Sequence, residues 1–508
     1  MFLPSGAYGL FIDGEYAEAA SGDFFDVIDP SMGFAVAQVA KGGPEDIDHA
    51  VKAARRSFES GVWSRISPKE RADVLDAMAK KVMEYAEQLA LLEVQSSGAT
   101  IRRVMSSDIM LVVDLFLQMA NFTREFPHKE PLAAIPMPGP SHNFVIREPV
   151  GVCGAISPWN FPLILGCWKI APGLAMGNSM VVKPASYTPL STLLMGQICK
   201  EAGLPDGVLN IVPGPGSTAG EALASHLDVD KVAFTGSTVV GKRIMQLAAG
   251  TVKKVTLELG GKSPNIILED ADLDIAVPGS CFAFLLHNGQ VCESGTRLLV
   301  PEKLHDEVID RMVRVVQKLK VGNPLDMETD LGPVISAQQL ETVLSYIEAG
   351  EKEGAKLVTG GKRLHPEGFE EGYYIEPTIF TGVRNTMRIA QEEIFGPVLS
   401  VIPYKNLDEA IQIANDTIYG LAGGVWTKDP KKALEVARAI KAGTVWINDW
   451  HLLRNDAPFG GYKQSGIGRE LGHFGLEEYT QVKHIHHSMA QDRSRRFWYD
   501  RIVTLKEE

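Results

Sequence analysis

The chain has 508 residues, 45% of them hydrophobic, with 50 basic and 63 acidic side chains and a formal net charge of −13. That length leaves room for more than one domain with its own buried core, and an acidic balance of this size argues against a bare nucleic-acid or membrane-surface binder. The five cysteines (Cys153, Cys167, Cys199, Cys281 and Cys292) show neither paired nor metal-ligand spacing, so no disulfide framework and no metal site is expected, and free thiols fit a cytoplasmic location.

The opening stretch, MFLPSGAYGLFIDGEY, has no basic segment followed by an apolar run, and no secretory signal is expected from it. Within it, Asp13-Gly14 between apolar flanks predicts a two-residue hairpin. Apolar residues at three- and four-residue spacing predict helices over 45–58 and 68–95. The segment 127–149 is Pro-rich and then strand-like, as a linker or an arm would be.

From 151 to about 270 the pattern alternates. GVCGAIS, SMVVKPA, GVLNIVP, KVAFTGS and VTLELGG read as short strands, and PLSTLLMGQICKEAG and TAGEALASH between them read as helices. This order predicts an α/β fold with a doubly wound, largely parallel sheet, whose ligands sit outside the carboxyl ends of the strands. The apolar stretch 150–182 is broken by Pro158, Asn160, Pro162, Lys169 and Pro172, too often for a membrane-spanning helix of about 20 apolar residues. A second α/β stretch follows to about 440, with helices expected near 305–320, 336–354 and 430–442. The last stretch, QDRSRRFWYDRIVTLKEE, reads as a docked surface tail.

The chemistry is less plain. No GxGxxG is present; GPGSTAG (214–220) has the wrong last spacing, and GSTVVG (236–241), taken alone, reads best as a tight strand-to-helix turn. Cys292 lies in HNGQVCESG among small and polar residues, and His287 five positions back invites a Cys-His dyad. By itself such a cysteine is more often a buried structural residue. PWNFP holds the Asn160 amide between prolines just after a strand, where it could stabilise an oxyanion. LELGGKSP puts Glu258 at a strand end beside two glycines.

Together these passages resemble the aldehyde dehydrogenase superfamily. The resemblance covers nearly the whole chain, in order: PWNFP (158–162), VVKPAS (181–186), FTGSTVVG (234–241), LELGGKSP (257–264), NGQVCESGTR (288–297), EEIFGPV (392–398) and PFGGYKQSGIGRE (458–470). It implies two doubly wound Rossmann-like domains and a β oligomerisation arm. The cofactor domain would comprise 1–126 and 150–261, the catalytic domain 262–463, and the arm 127–149 with 464–487, leaving 488–508 as a tail.

The resemblance also implies a reaction. Cys292 would attack an aldehyde, with Asn160 and the Cys292 amide holding the oxyanion, and Glu258 would activate water to release a carboxylic acid. Lys183 looks like the adenosine-ribose lysine, Ser157 to Trp159 lie along the cofactor, and Gly236, Ser237 and Gly241 match the pyrophosphate turn. Glu393 and Phe395 match the nicotinamide-side pair, and Lys262 with Glu470 the proton-relay path. The substrate tunnel would include Phe161, Leu165, Trp168, Leu286 and Val291. Glu293, Trp450, His451, Leu453 and Phe459 match its remaining positions.

Ser186 stands where many NAD-preferring members carry a glutamate, so NAD or NADP is expected. The implied partner is a small-molecule aldehyde, with no nucleic acid or membrane, in a homodimer or homotetramer. Glu258 favours hydrolysis over a CoA-acylating enzyme, and a non-redox cysteine esterase would need a histidine base at the sulfur.

Overall fold

Short Val- and Ile-rich runs that end in Gly, Pro or Ser become the two central sheets of the molecule. The computed structural model describes residues 6–134 and 139–503. The first five residues of the N-terminus, residues 135–138 of the Pro-rich segment and the last five residues of the tail lie outside that range.

In the first sheet, Lys254–Glu258, Lys231–Thr235, Val152–Ile156, Ser179–Lys183 and Leu209–Ile211 lie side by side in that order, all parallel. Four of these strands are buried along their whole length, as expected where helices cover both faces of a parallel sheet. The order reverses between Val152–Ile156 and Lys231–Thr235, which opens a crevice at the carboxyl ends of the strands. The Leu10–Ile12 and Glu15–Ala17 hairpin extends one edge antiparallel. Its turn has Asp13 at φ 54° and Gly14 at φ 81°, the double left-handed geometry that Asp-Gly supplies. Gly466–Ile467 closes the other edge against Leu257 and Glu258.

The helix expected over 68–95 is broken. Pro68–Glu84 begins in a capping box between Ser67 and Glu70 and stops at Tyr85, and a new helix runs Ala86–Ser97. Tyr85 leaves the helical geometry (φ −98°, ψ 8°) while its hydroxyl donates to Glu201 at 2.8 Å, a tertiary bond that periodicity does not report. Ile101–Glu125 is long and apolar enough, by length and composition, to cross a membrane, but half of its apolar window is buried. Its inner face packs on Pro68–Glu84 and Pro162–Ala175 as a core helix.

The second sheet has the order Lys356–Thr359, Thr378–Thr381, Val398–Tyr404, Arg297–Pro301, Pro264–Ile267, Ala422–Trp426 and Thr444–Ile447. All its pairs are parallel except the first. The helices His305–Val316, Ala337–Lys352 and Pro430–Ala439 fall where periodicity puts them. Apart from both sheets, Ser141–Pro149 pairs antiparallel with Thr480–Ser488 over nine residues, with Lys129–Pro131 on its other side. The tail returns to this arm, where the Trp498 ring packs over Gly139.

Candidate active site

The loop that carries Cys292 is strained by design of its sequence. His287, Asn288 and Gly289 all take left-handed backbone angles (φ 49°, 55° and 68°), which costs free energy at the two non-glycine positions and persists only where the surroundings enforce it. Gly289 is required, because a Cβ there would stand 2.2 Å from the Gly396 carbonyl oxygen. Gln290 ties the loop down from inside: its Nε2 donates to His287 O at 3.1 Å and its Oε1 accepts from Ile335 N at 2.9 Å. The chain is thus turned so that Cys292 is partly exposed at the wall of a cavity while its neighbours Val291 and Glu293 are buried.

Asn160 faces the same cavity and donates one amide hydrogen to Gln290 O at 2.9 Å. A side-chain amide has two such hydrogens, so the second is left for a ligand. Burial pushes the Cys292 thiol well above its ordinary pKa, and the Glu293 carboxylate, 3.1 Å from Sγ, adds to the effect. The sulfur therefore rests as a thiol. His287 does not reach it: the ring packs against Phe161 at 5.5 Å, and burial with the nearby Arg103 charge holds it neutral.

Glu258 ends its strand beside this loop, 4% exposed, with neither carboxyl oxygen hydrogen-bonded among the described residues. Burial, reinforced by the Glu470 charge, pushes it well above the usual carboxylate range. Its companion Glu470 accepts from Lys169 Nζ at 2.5 Å, and Lys169 also donates to Thr235 at 2.6 Å. Lys169 was visible in the sequence only as an interruption of an apolar run. It takes the place expected for Lys262, which points elsewhere: Lys262 Nζ has no partner among the described residues, its neighbouring charges are Arg297, Glu393 and Glu392, and burial brings it down to about 7. The correction follows from the fold, since Lys169 and Glu470 meet across 301 residues of chain.

A buried carboxyl held protonated favours the folded state below its unfolded pKa, and that contribution is lost as pH rises toward the raised folded value. Glu258→Gln keeps the shape without the ionisation. The variant is expected to melt above the native protein, by on the order of 1–3 kcal/mol, with the gap widening as pH increases; calorimetry from pH 6 to 9 measures it, and a gap that narrows with pH would contradict the assignment.

Two glycines make room for these groups. A Cβ on Gly261 would lie 2.3 Å from the Cys292 carbonyl oxygen, and one on Gly460 would lie 2.7 Å from Glu258 Oε1. Gly261→Ala must therefore displace the loop bearing the thiol. We expect a loss of activity of roughly a hundredfold, since small misplacements at a reacting centre are this costly, with cofactor affinity as the control measurement.

The cavity has a volume of about 610 Å³. Of the tunnel residues expected from sequence, Phe161, Leu165, Trp168, Leu286, Glu293, His451, Leu453 and Phe459 line it. Trp450 and Val291 do not. Trp450 is fully buried and fills space left by Gly295 and Gly424, where a Cβ would stand 2.9 and 2.3 Å from its ring. Val291 is buried behind the cysteine loop. Arg103, Ile164 and Phe282 also line the cavity; they come from helices whose inner faces no motif marks. Burial alone would raise the Glu293 carboxyl, but His451 Nδ1 at 3.1 Å, with its charge, brings it below the usual range.

The crevice at the strand ends holds the other expected positions. Lys183 Nζ and Ser186 Oγ both donate to the Gly214 carbonyl oxygen, at 3.1 and 3.0 Å, and burial lowers Lys183 to about 8. Ser157 Oγ is buried with no partner among the described residues. Ser237 caps the helix Thr238–Ala248. Gly241 serves packing there, since a Cβ would strike Leu259 at 2.5 Å. Glu393 Oε1 accepts from Gly261 N at 3.0 Å, burial raises it to about 7, and the Phe395 ring meets Trp159 edge-on at 5.1 Å. A lysine ammonium, an orphaned serine hydroxyl and an exposed helix start are donors suited to a dinucleotide.

A family model described as the aldehyde dehydrogenase family matches residues 16–485. A betaine aldehyde dehydrogenase of Bacillus subtilis is 47% identical over 477 residues, covering 94% of this chain and 96% of its own. A mitochondrial benzaldehyde dehydrogenase of Antirrhinum majus is 46% identical over 475 residues, covering 93% and 88%. The crystal structure of betaine aldehyde dehydrogenase from Staphylococcus aureus in complex with NAD+ superposes with a TM-score of 0.93 at 42% identity, covering 96% of each chain.

Proposed function

The chain belongs to the aldehyde dehydrogenase family and oxidises an aldehyde, and on that premise we propose that Cys292, Asn160 and Glu258 carry the reaction at the 610 Å³ cavity. The supporting observation is a partly exposed thiol and a held amide donor on one cavity wall, with a buried unpartnered carboxyl, Glu258, close enough behind them for its charge to act on the thiol. As Cys292 Sγ bonds to the aldehyde carbon, its S–H proton is released to water and the C=O π bond opens to the oxyanion of a thiohemiacetal, which takes its hydrogen bonds from Asn160 Nδ2 and the Cys292 N–H. Loss of the hydride then restores C=O as the thioester. Fixed donors aimed at developing charge are the largest single source of rate in such sites.

When bound, a nicotinamide cofactor supplies the hydride acceptor. The protein's part is to hold the thioester that remains and to free a base. Glu258 passes its proton to Glu470, with Lys169 holding the Glu470 carboxylate, and then draws a proton from the attacking water. Product is the carboxylic acid. This use of Glu258 favours water over CoA as the acyl acceptor.

For the cofactor, Ser157, Trp159, Lys183, Gly236, Ser237, Glu393 and Phe395 would hold the dinucleotide, with NAD supported by the relatives crystallised with it. Ser186 leaves no carboxylate to repel a 2′-phosphate, so NADP use is part of the proposal. The kcat/KM ratio with NAD against NADP is expected to stay within roughly a hundredfold, and Ser186→Glu to shift it by about tenfold or more toward NAD. A several-hundred-fold NAD preference in the native protein would refute dual use.

We further read 1–126 with 150–261 as the cofactor domain, 262–463 as the catalytic domain, and 127–149 with 464–487 as a bridging arm. The support is that the second sheet draws only on residues within 262–463, and the first only on residues before 262 apart from the short edge strand Gly466–Ile467. An open strand edge along the arm is a pairing template, which favours a homodimer or homotetramer. Five free cysteines suit a reducing cytosol.

A further inference from the structure

One cation on the cavity wall has no part in the reaction. Arg103 ends the short helix Ile101–Arg103, and the turn that follows, Val104–Asp108, has π-helical hydrogen bonding, an irregularity that recurs at functional sites. The widened turn brings Asp108 back to its own helix start: Arg103 Nη2 donates to Asp108 Oδ2 at 2.8 Å. The two side chains are only 9% and 1% exposed. The guanidinium lies 4.4 Å from the centroid of the Phe161 ring. Arg103, Asp108 and Phe161 line the same cavity as Cys292 and Asn160.

We propose that Arg103 sets the charge class of the substrate: by covering the Phe161 ring with a fixed cation it rejects aldehydes with a cationic head group and reserves the cavity for uncharged ones. This rests on the reading of the cavity as the aldehyde site. A quaternary ammonium is recognised by laying its charge on aromatic faces. Phe161 directly follows Asn160 in the chain, and its ring already holds the guanidinium.

The carboxylates facing the cavity are spoken for. Glu293 accepts from His451 Nδ1 and from the Cys292 thiol, both at 3.1 Å, Asp108 is paired to Arg103, and Asp330 is paired to Arg102 at 2.7 Å. Glu93, behind the helix, accepts from the Ser191 hydroxyl, and burial raises it to about 7. No free negative charge draws a cation past Arg103. An anion would meet two donors of Arg103, Nε and Nη1, that have no partner among the described residues, but Asp108 already balances the guanidinium charge, so the gain stays below the cost of desolvating the anion. A cation entering such a site is desolvated without a partner, whereas an uncharged aldehyde is not. Overall similarity to betaine aldehyde dehydrogenases therefore does not carry the trimethylammonium substrate to this chain.

The test uses a matched pair. Betaine aldehyde and 3,3-dimethylbutanal have the same shape, with nitrogen exchanged for carbon, and succinic semialdehyde supplies the anionic arm. The native protein is expected to show kcat/KM for the uncharged aldehyde about 30-fold or more above both charged ones, and Arg103→Met to narrow the uncharged-to-cation ratio about tenfold. Arg103→Met/Asp108→Asn removes both halves of the buried pair, so the ratio can be read without an orphaned carboxylate. A native ratio near one, a preference for the anion, or the same ratio in both variants would overturn the proposal. Cys292→Ser separates the two levels. Turnover surviving it removes the cavity as the aldehyde site and the charge rule with it. Turnover lost, with a ratio blind to Arg103, rejects the charge rule alone.

Discussion

Cys292→Ser protein is expected to fold and to bind cofactor, yet to oxidise aldehydes on the order of a thousandfold more slowly or worse. Serine is smaller by little and keeps a donor for Glu293, so the loop pinned by Gln290, Asn288 and Gly289 has no reason to move. What is lost is nucleophilicity. A hydroxyl ionises far less readily than a thiol, and this site gives it no help: burial and Glu293 already oppose the anion at sulfur. His287 cannot act as a base, because it packs on Phe161 and is held neutral away from Sγ. The same packing weakens the case for a cysteine esterase, which needs an imidazole at the sulfur. Stopped-flow absorbance at the reduced nicotinamide band measures the first turnover directly; a variant with native burst rate would remove Cys292 from the mechanism.

The second large effect is at Glu258. Glu258→Gln should leave the first hydride transfer nearly intact and slow steady turnover by roughly a hundredfold or more, the range general-base catalysis contributes. The geometry separates the two steps. Attack and hydride loss need the thiol and Asn160, whereas hydrolysis needs an ionised carboxyl and a path for its proton. In the proposed path the proton goes from Glu258 to Glu470, whose carboxylate Lys169 holds, and with Glu258 raised, hydrolysis is expected to be faster as pH rises. The variant loses this rise along with the rate. Equal loss of burst and steady rate would instead mark Glu258 as a structural residue.

Much of this was legible in the sequence, for identifiable reasons. Asn160 sits just past a strand end and Glu258 at one, and Cys292 in a loop whose Gly289 cannot be replaced; such positions leave local signatures in glycines and prolines. The hairpin at Asp13-Gly14 and the parallel strands were legible in the same way. Lys169 was not. It lies in the middle of a buried helix, and what makes it functional is a partner 301 residues away. Lys262 adjoins the LELGG motif, but nearness along a chain does not fix direction, and the charges that act on its ammonium are those of Arg297, Glu393 and Glu392.

Trp450 shows the converse error. An aromatic beside a tunnel motif reads as a wall residue, yet Gly295 and Gly424 open a slot that takes its ring out of the cavity. Arg103 left no signal, because the neighbouring Arg102 is equally basic and also lines the cavity; burial and the pairing with Asp108 across the π turn set Arg103 apart. The helix break at Tyr85 escaped periodicity because it is accompanied by tertiary hydrogen bonds, one donated to Glu201 and one accepted from Gln197.

The most direct test is to trap the acyl enzyme. Glu258→Gln protein is mixed with aldehyde and NAD, quenched in acid, digested and weighed by mass spectrometry. We predict a stoichiometric increase equal to the acyl group on the peptide containing Cys292, absent when cofactor is omitted. An acyl mass on another peptide, or none despite a full hydride burst, would contradict the assignment of Cys292 as nucleophile and Glu258 as the base that releases it.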